Sequence, residues 1–275
     1  MTASALLAAC GSGGDDQSTD TTTGASAPKV AARVPLCTRE LTDGGTPTPE
    51  VDRLVANLIR QASLPEAEPY DDYALVCDNT GVTTIEAPVA YSNMEPAPLA
   101  PPQTAIRVSP DFSARVEDEP IINFFAAPVG GSQFPTQPGF GTVIQQSADG
   151  SLSSGTRDPR EGKTISEECA ALPIRDIATG DFTGRAQFFV NCGDDQRAWV
   201  LVAATPDNAD PYFIQVVAEV LDTADAEALG RALTTMHVDK DALAAVTAAA
   251  EPAPAPDATA TTVAGAATPT TAATP

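Results

Sequence analysis

Apolar residues recur along this chain with two different periods, and the switch between them separates helical from extended stretches. Val51, Leu54, Val55, Leu58 and Ile59 fall at i, i+3, i+4, i+7 and i+8, which puts them on one face of a helix. Thr48 is suited to cap that helix, Pro49 to its first position, and Glu50 and Asp52 to the positive end of its dipole. Leu64-Pro65 ends it, because the residue before a proline is pushed out of the helical region. From Tyr73 the pattern becomes strand-like. Tyr73-Ala74-Leu75-Val76-Cys77 and Val82-Thr83-Thr84-Ile85-Glu86-Ala87 flank the turn-forming Asp78-Asn79-Thr80-Gly81 and predict a hairpin. After a proline-rich surface loop over residues 94–102, Ala105-Ile106-Arg107-Val108 predicts a further strand. Ile121-Ile122-Asn123-Phe124-Phe125-Ala126 predicts another, and its near-continuous hydrophobicity suggests burial on both faces.

Residues 130–162 hold Gly, Pro, Ser, Gln and Thr with scattered apolar positions. A loop of this length inside a compact domain is functional, disordered, or conceals a short element such as Gly141-Thr142-Val143-Ile144. Beyond it, the stretches from Gly184 to Cys192, Arg197 to Ala204 and Tyr212 to Val220 read as three strands joined by short turn-rich linkers, which favours an antiparallel meander. Asp222 or Thr223 then caps a helix with Asp225 and Glu227 in its first turns and an apolar face of Ala226, Leu229, Leu233 and Met236. Strands in runs with helices at the ends argue an α+β fold, an antiparallel sheet flanked by an N-terminal and a C-terminal helix.

The ends of the chain have another character. Leu6-Leu7-Ala8-Ala9-Cys10 followed by Gly11-Ser12-Gly13-Gly14 has the form of a lipobox, in which a signal peptidase cuts before a cysteine that carries lipid. Residues 1–9 contain no Lys or Arg and barely reach the lower limit of an apolar signal region, so they read as a truncated lipoprotein signal peptide; the competing reading is a flexible tail with an incidental cysteine. Residues 10–35 are rich in Gly, Ser, Thr and Asp and form a disordered tether. Residues 36–240 make the single folded domain, and 241–275 a disordered Ala/Pro/Thr tail whose threonines are open to glycosylation in an exported protein.

Charge and cysteines refine the setting. With 275 residues and a formal net charge of −22, the chain lacks the clustered Lys and Arg that nucleic-acid binding needs. The same charge disfavours docking on an anionic membrane surface, so a lipid on Cys10 would have to hold the chain there. The dominance of Ala, Thr, Pro and Asp, with Arg well ahead of Lys, is the usage of GC-rich bacterial genomes. Setting Cys10 aside leaves Cys37, Cys77, Cys169 and Cys192, an even number that suits an oxidising compartment and permits three pairings. Cys37 with Cys77 and Cys169 with Cys192 are favoured because each pair lies within one half of the domain. In the chain-entropy model the second loop is worth roughly 3 kcal/mol. A four-thiolate zinc site is the rival, and it lacks any C-x2-C spacing.

Asp78 to Pro88, then Ala105-Ile106-Arg107-Val108-Ser109-Pro110-Asp111-Phe112, then the strands and helix from Phe182 to Val238 resemble the PsbP-like α/β domain of actinobacterial cell-envelope lipoproteins. The resemblance spans roughly residues 70–238 and departs from the family pattern at Tyr91, where that pattern has a tryptophan. It implies a cysteine pair around positions 169 and 192. It also implies a binding or accessory module with no shared catalytic residues.

Candidate chemistry is sparse. His237 is the single histidine and is placed near the end of the last helix, where a cation suits the dipole; no G-x-S-x-G accompanies it, so no catalytic residue is assigned. Asp194-Asp195, Asp207 with Asp210, and Glu117-Asp118-Glu119 lack the spacing of a calcium loop and read as solvated turns, so no metal or other cofactor is expected. The expectation is a non-enzymatic, lipid-anchored module on the extracytoplasmic face of the cell membrane, with an envelope protein or a small apolar ligand as partner. The alternatives are an envelope hydrolase using carboxylates near the 130–162 loop, or a regulatory partner of an exported protease or kinase.

Overall fold

The computed structural model describes residues 47–93, 103–110, 120–129, 136, 138–151, 163–179, 182–193, 196–206 and 212–250. Residues 1–35, the 94–102 loop and residues 251–275 lie outside them. In chain order the elements are α1 (Pro49–Ala62), β1 (Tyr73–Cys77), β2 (Thr83–Pro88), β3 (Ser92–Asn93), β4 (Thr104–Ser109), β5 (Ile121–Pro128), α2 (Phe140–Ala148), α3 (Ile165–Glu168), β6 (Ala170–Ala171), β7 (Arg175–Ala178), β8 (Phe182–Val190), β9 (Ala198–Pro206), β10 (Tyr212–Val220), α4 (Thr223–Thr235), β11 (His237–Val238) and α5 (Lys240–Ala250). The chain is α+β with antiparallel sheets. The main sheet has the order β3-β4-β5-β10-β9-β8-β6, with β7 also on β8, and a smaller one has the order β1-β2-β11.

The meander expected from the last third is present: β8, β9 and β10 are consecutive antiparallel neighbours, and β5 pairs with the far edge of β10. All nine residues of β10 are buried, as suits a largely apolar strand whose Gln215 and Glu219 side chains are both partnered, by Ser147 and Arg197. Ile214, Val216 and Ala218 point into one core with Leu54 and Leu58 of α1 and Leu229 and Leu233 of α4. Phe213 and Val217 point into a second core with Trp199, Val143 and Ile144 of α2 and Ile165 of α3. The sheet is therefore a middle layer with apolar cover on both faces. In β5, read as buried on both faces, the even positions Ile122, Phe124 and Ala126 are buried while Ile121, Asn123 and Phe125 are only half-buried.

Local signals set the element ends. Thr48 Oγ1 accepts from the Val51 amide at 3.3 Å and donates to the Ala178 carbonyl at 3.1 Å, so one side chain caps α1 and ties it to β7. α1 stops at Ala62, one residue before Ser63 in the left-handed region (φ 52) and three before Pro65. The β1–β2 hairpin closes on Asp78, whose carboxylate accepts from the amides of Thr80, Val82 and Thr83 at 2.7, 3.2 and 2.9 Å, the Asx arrangement that makes aspartate a turn residue. Behind the hairpin, Thr83 Oγ1 meets Thr104 Oγ1 at 2.9 Å, and Thr104 Oγ1 meets the Tyr212 hydroxyl at 3.3 Å, joining the two sheets through buried hydroxyls.

Three stretches differ from the sequence reading. The 130–162 segment contains α2, a nine-residue helix around the suspected Gly141-to-Ile144 element; its Ser147 hydroxyl bonds back to the Val143 carbonyl and accepts from Gln215 of β10. His237 is not at a helix end. α4 stops at Thr235, and His237 is in β11, opposite Thr84 of β2. Residues 240–250, where the Ala/Pro/Thr tail was expected to begin, are helical: Asp239 Oδ1 accepts from the amides of Asp241 and Ala242, both at 3.0 Å, and Leu243 and Val246 pack on the first core. Alanine's helix propensity outweighs low complexity there.

α1 and α4 approach closely at Gly230, where an added Cβ would meet Val55 Cγ2 at 2.6 Å. A β-branched side chain cannot turn away from such a contact. Gly230→Val is expected to destabilise the protein by about 1–3 kcal/mol through overpacking, read as a lower urea midpoint. Adding Val55→Ala should recover part of the loss, and an unchanged midpoint in Gly230→Val would show that the helices do not meet there.

Candidate binding groove

The sequence places one charged residue, Glu86, in the middle of the apolar run of β2, and its burial is complete (0 % exposed). A buried carboxylate requires compensation. Arg231, on α4, donates its Nε to Glu86 Oε2, while the Thr235 hydroxyl accepts from the Glu86 amide at 2.8 Å. Among the described residues Glu86 Oε1 is buried without a hydrogen-bond partner. The Arg231 guanidinium lies over the Tyr73 ring, 4.1 Å from its centroid, so a single cation is held by a carboxylate and an aromatic face.

Nearly two turns toward the N-terminus of α4, Asp225 is the hub of a second buried cluster. It is only 2 % exposed. Its Oδ1 accepts from the hydroxyls of Tyr70 at 2.8 Å and Tyr91 at 2.9 Å, and its Oδ2 from the Leu221 amide at 3.0 Å. Its own amide donates to Asp222 Oδ1 at 3.0 Å, which caps the helix. The two tyrosine rings meet edge to face with centroids 5.3 Å apart. Burial, and after it the nearby Asp222 charge, pushes the Asp225 carboxyl above the ordinary carboxylate range; the bonds from Tyr70, Leu221 and Tyr91 offset part of that rise. Burial likewise raises the Tyr91 and Tyr70 hydroxyls, next to the same carboxylate, so both are donors at neutral pH. The chain before β1 is held down here too, through the Ala67 amide to Thr223 Oγ1 at 2.9 Å and the Thr223 amide to the Pro65 carbonyl at 3.0 Å.

With that segment fixed on one side and α1 on the other, α4 forms the floor of a groove of ≈ 690 Å³. Val55 and Ile59 of α1 make an apolar wall, Tyr70 and Tyr73 the opposite side, and Arg231 a cationic point between them. Asp52 and Glu227 stand exposed at the rim. An apolar cleft of this size with few polar groups is suited to hold a small molecule. Of the two tyrosines that line it, Tyr70 donates its hydroxyl to Asp225 and Tyr73 lies under the Arg231 guanidinium.

A third buried cluster belongs to the opposite edge. Arg197 donates from Nη2 to Glu168 at 2.8 Å and from Nη1 to Glu219 at 3.4 Å, all three side chains under a tenth exposed. Next to it the Cys169–Cys192 disulfide joins the end of α3 to the chain after β8. Gly193 (φ +64) completes the turn, and a Cβ there would stand 2.9 Å from Glu168 Oε1. The cluster fastens the β8–β9 connection.

Of the residues singled out by sequence, Cys169 and Cys192 are brought together and Cys77 is also disulfide-bonded, while Cys10 and Cys37 lie outside the described residues. So do Glu117-Asp118-Glu119, Asp194-Asp195, and Asp207 with Asp210. Among the described residues no three His, Cys, Asp or Glu side chains are grouped as metal ligands, and no helix is long and apolar enough to cross a membrane. The groove residues were missed. The available signal was a glutamate inside an apolar strand and an arginine on a helix that could meet it; Asp225, read as a helix-dipole residue, is a buried hub. No protein-family model matches the chain, and no curated protein matches it significantly.

The raised Asp225 carboxyl sets the sign of a pH effect. A group whose folded value exceeds its unfolded one stabilises most below the unfolded value, and that contribution is lost as pH rises through the folded value. The urea midpoint of the wild-type protein minus that of Asp225→Asn is therefore expected to fall as pH rises from below the ordinary carboxylate range. A difference that is flat or rises over that interval contradicts the assignment.

Proposed function

We propose that this chain is a lipid-anchored binding or accessory module on the extracytoplasmic face of a bacterial cell membrane, built on a PsbP-like α/β domain. The observation that carries the binding role is the groove between α1, α4 and the segment before β1: an apolar cleft whose polar groups are positioned by buried partners. The anchor rests on Leu6-Leu7-Ala8-Ala9-Cys10 and the Gly/Ser-rich stretch after it. The Cys169–Cys192 disulfide is consistent with an oxidising compartment. The antiparallel meander followed by a helix supports the resemblance to the PsbP-like domain, as does the packing of α1 and α4 residues in one core.

Two experiments test the two halves of this reading. In a GC-rich Gram-positive host grown with an alkyne fatty-acid analogue, the wild-type protein is expected to carry label and Cys10→Ala none; an unlabelled wild type removes the anchor. For the binding role, organic extracts of the protein purified from that host are compared by mass spectrometry with extracts of Ala56→Trp, which fills the groove from an exposed position of α1. A compound present only in the wild-type extract is expected. Identical extracts remove the binding role.

A further inference from the structure

The polar groups of the groove are unequal in sign, and that inequality selects a ligand. Among the described residues Arg231 is the one cation lining it, against the rim carboxylates of Asp52 and Glu227. Its charge is already matched by Glu86, buried directly behind it. The site therefore presents a net negative potential, inside a chain of formal charge −22, so an anionic head is repelled. Arg231 nevertheless retains donors: only its Nε is used, its side chain is 35 % exposed, and neither Nη has a protein acceptor among the described residues. A ligand head must therefore offer acceptors to a guanidinium and donors to two carboxylates while carrying no negative charge. Hydroxyl groups do both. Alongside, Val55 and Ile59 of α1 offer a continuous apolar wall one helical turn long, suited to an alkyl chain.

We infer that the groove binds an uncharged single-chain amphiphile with a hydroxylated head, its hydroxyls between Arg231, Asp52 and Glu227 and its chain along Val55 and Ile59. This rests on the binding role proposed above and narrows it to one ligand class. An ammonium head would satisfy the carboxylates but leave the Arg231 donors unmet; a sulfate or carboxylate head would meet Arg231 against the field of the rim.

The test is calorimetric titration of the full-length protein with three eight-carbon probes below their micellar concentrations: octyl glucoside, octyl sulfate and octylammonium. Octyl glucoside is expected to bind about tenfold or more tighter than either charged probe, with little dependence on salt. Ala56→Trp, with an unchanged urea midpoint, is expected to abolish its binding, and Asp52→Asn with Glu227→Gln to bring octyl sulfate to within about threefold of it. Absent glucoside binding, equal or tighter binding of either charged probe, or full binding by Ala56→Trp overturns the inference. If titration fails while a compound is still extracted in a groove-dependent way, the ligand class alone is wrong. If titration fails and the extracts are identical, the binding role falls with it.

Discussion

The burial of β10 on both faces is the constraint from which the other layers follow. Residues 212–219 pair with β5 on one side and residues 214–220 with β9 on the other, so its backbone is satisfied within the sheet, and its side chains leave no face for water. A strand of this kind is stable only if both faces are covered. One face receives α1 and α4 with the β1–β2 hairpin, the other α2 and α3, and the two cores differ accordingly. The first is larger and largely aliphatic, while the second is built around Trp199, Phe189 and Phe213 and is closed by the Cys169–Cys192 bridge.

The polar residues buried in this architecture are found at the seams between layers. Asp225 holds the segment before β1 and Tyr91 to α4; Glu86 and Arg231 hold β2 to the same helix; Arg197 holds α3 to the starts and ends of neighbouring strands. Apolar contacts alone would let the helices slide over the sheet, because dispersion and hydrophobic burial are weakly directional. Hydrogen bonds to a desolvated carboxylate are directional and costly to break, so they fix the register of the packing. The groove is a consequence. α1 and α4 touch at Gly230 and diverge from the segment anchored by Tyr70, which leaves a cleft with Arg231 held at a defined place in it.

Much of the fold was legible because its signals are local. The cap at Thr48, the Asp78 turn, the strands of the meander and the Asp222 cap each depend on a few neighbouring residues, and each appears where the sequence put it. What failed depended on context. α2 was hidden in a polar segment because its amphipathic face is short and its partner, the odd face of β10, lies far along the chain. His237 was placed on a helix that ends two residues before it, where the chain turns to pair with β2.

By itself the sequence determined the α+β class, the order of the principal strands and two of the helices. Periodicity, capping and turn chemistry carry that information within windows of a few residues. Tertiary structure alone decided which charged side chains are buried, and hence where the groove lies. Glu86 and Arg231 are 145 residues apart, and Tyr70 and Asp225 are 155 apart. No local pattern links such pairs, because what makes each partner necessary is the loss of water around the other, and that loss occurs only when the layers close.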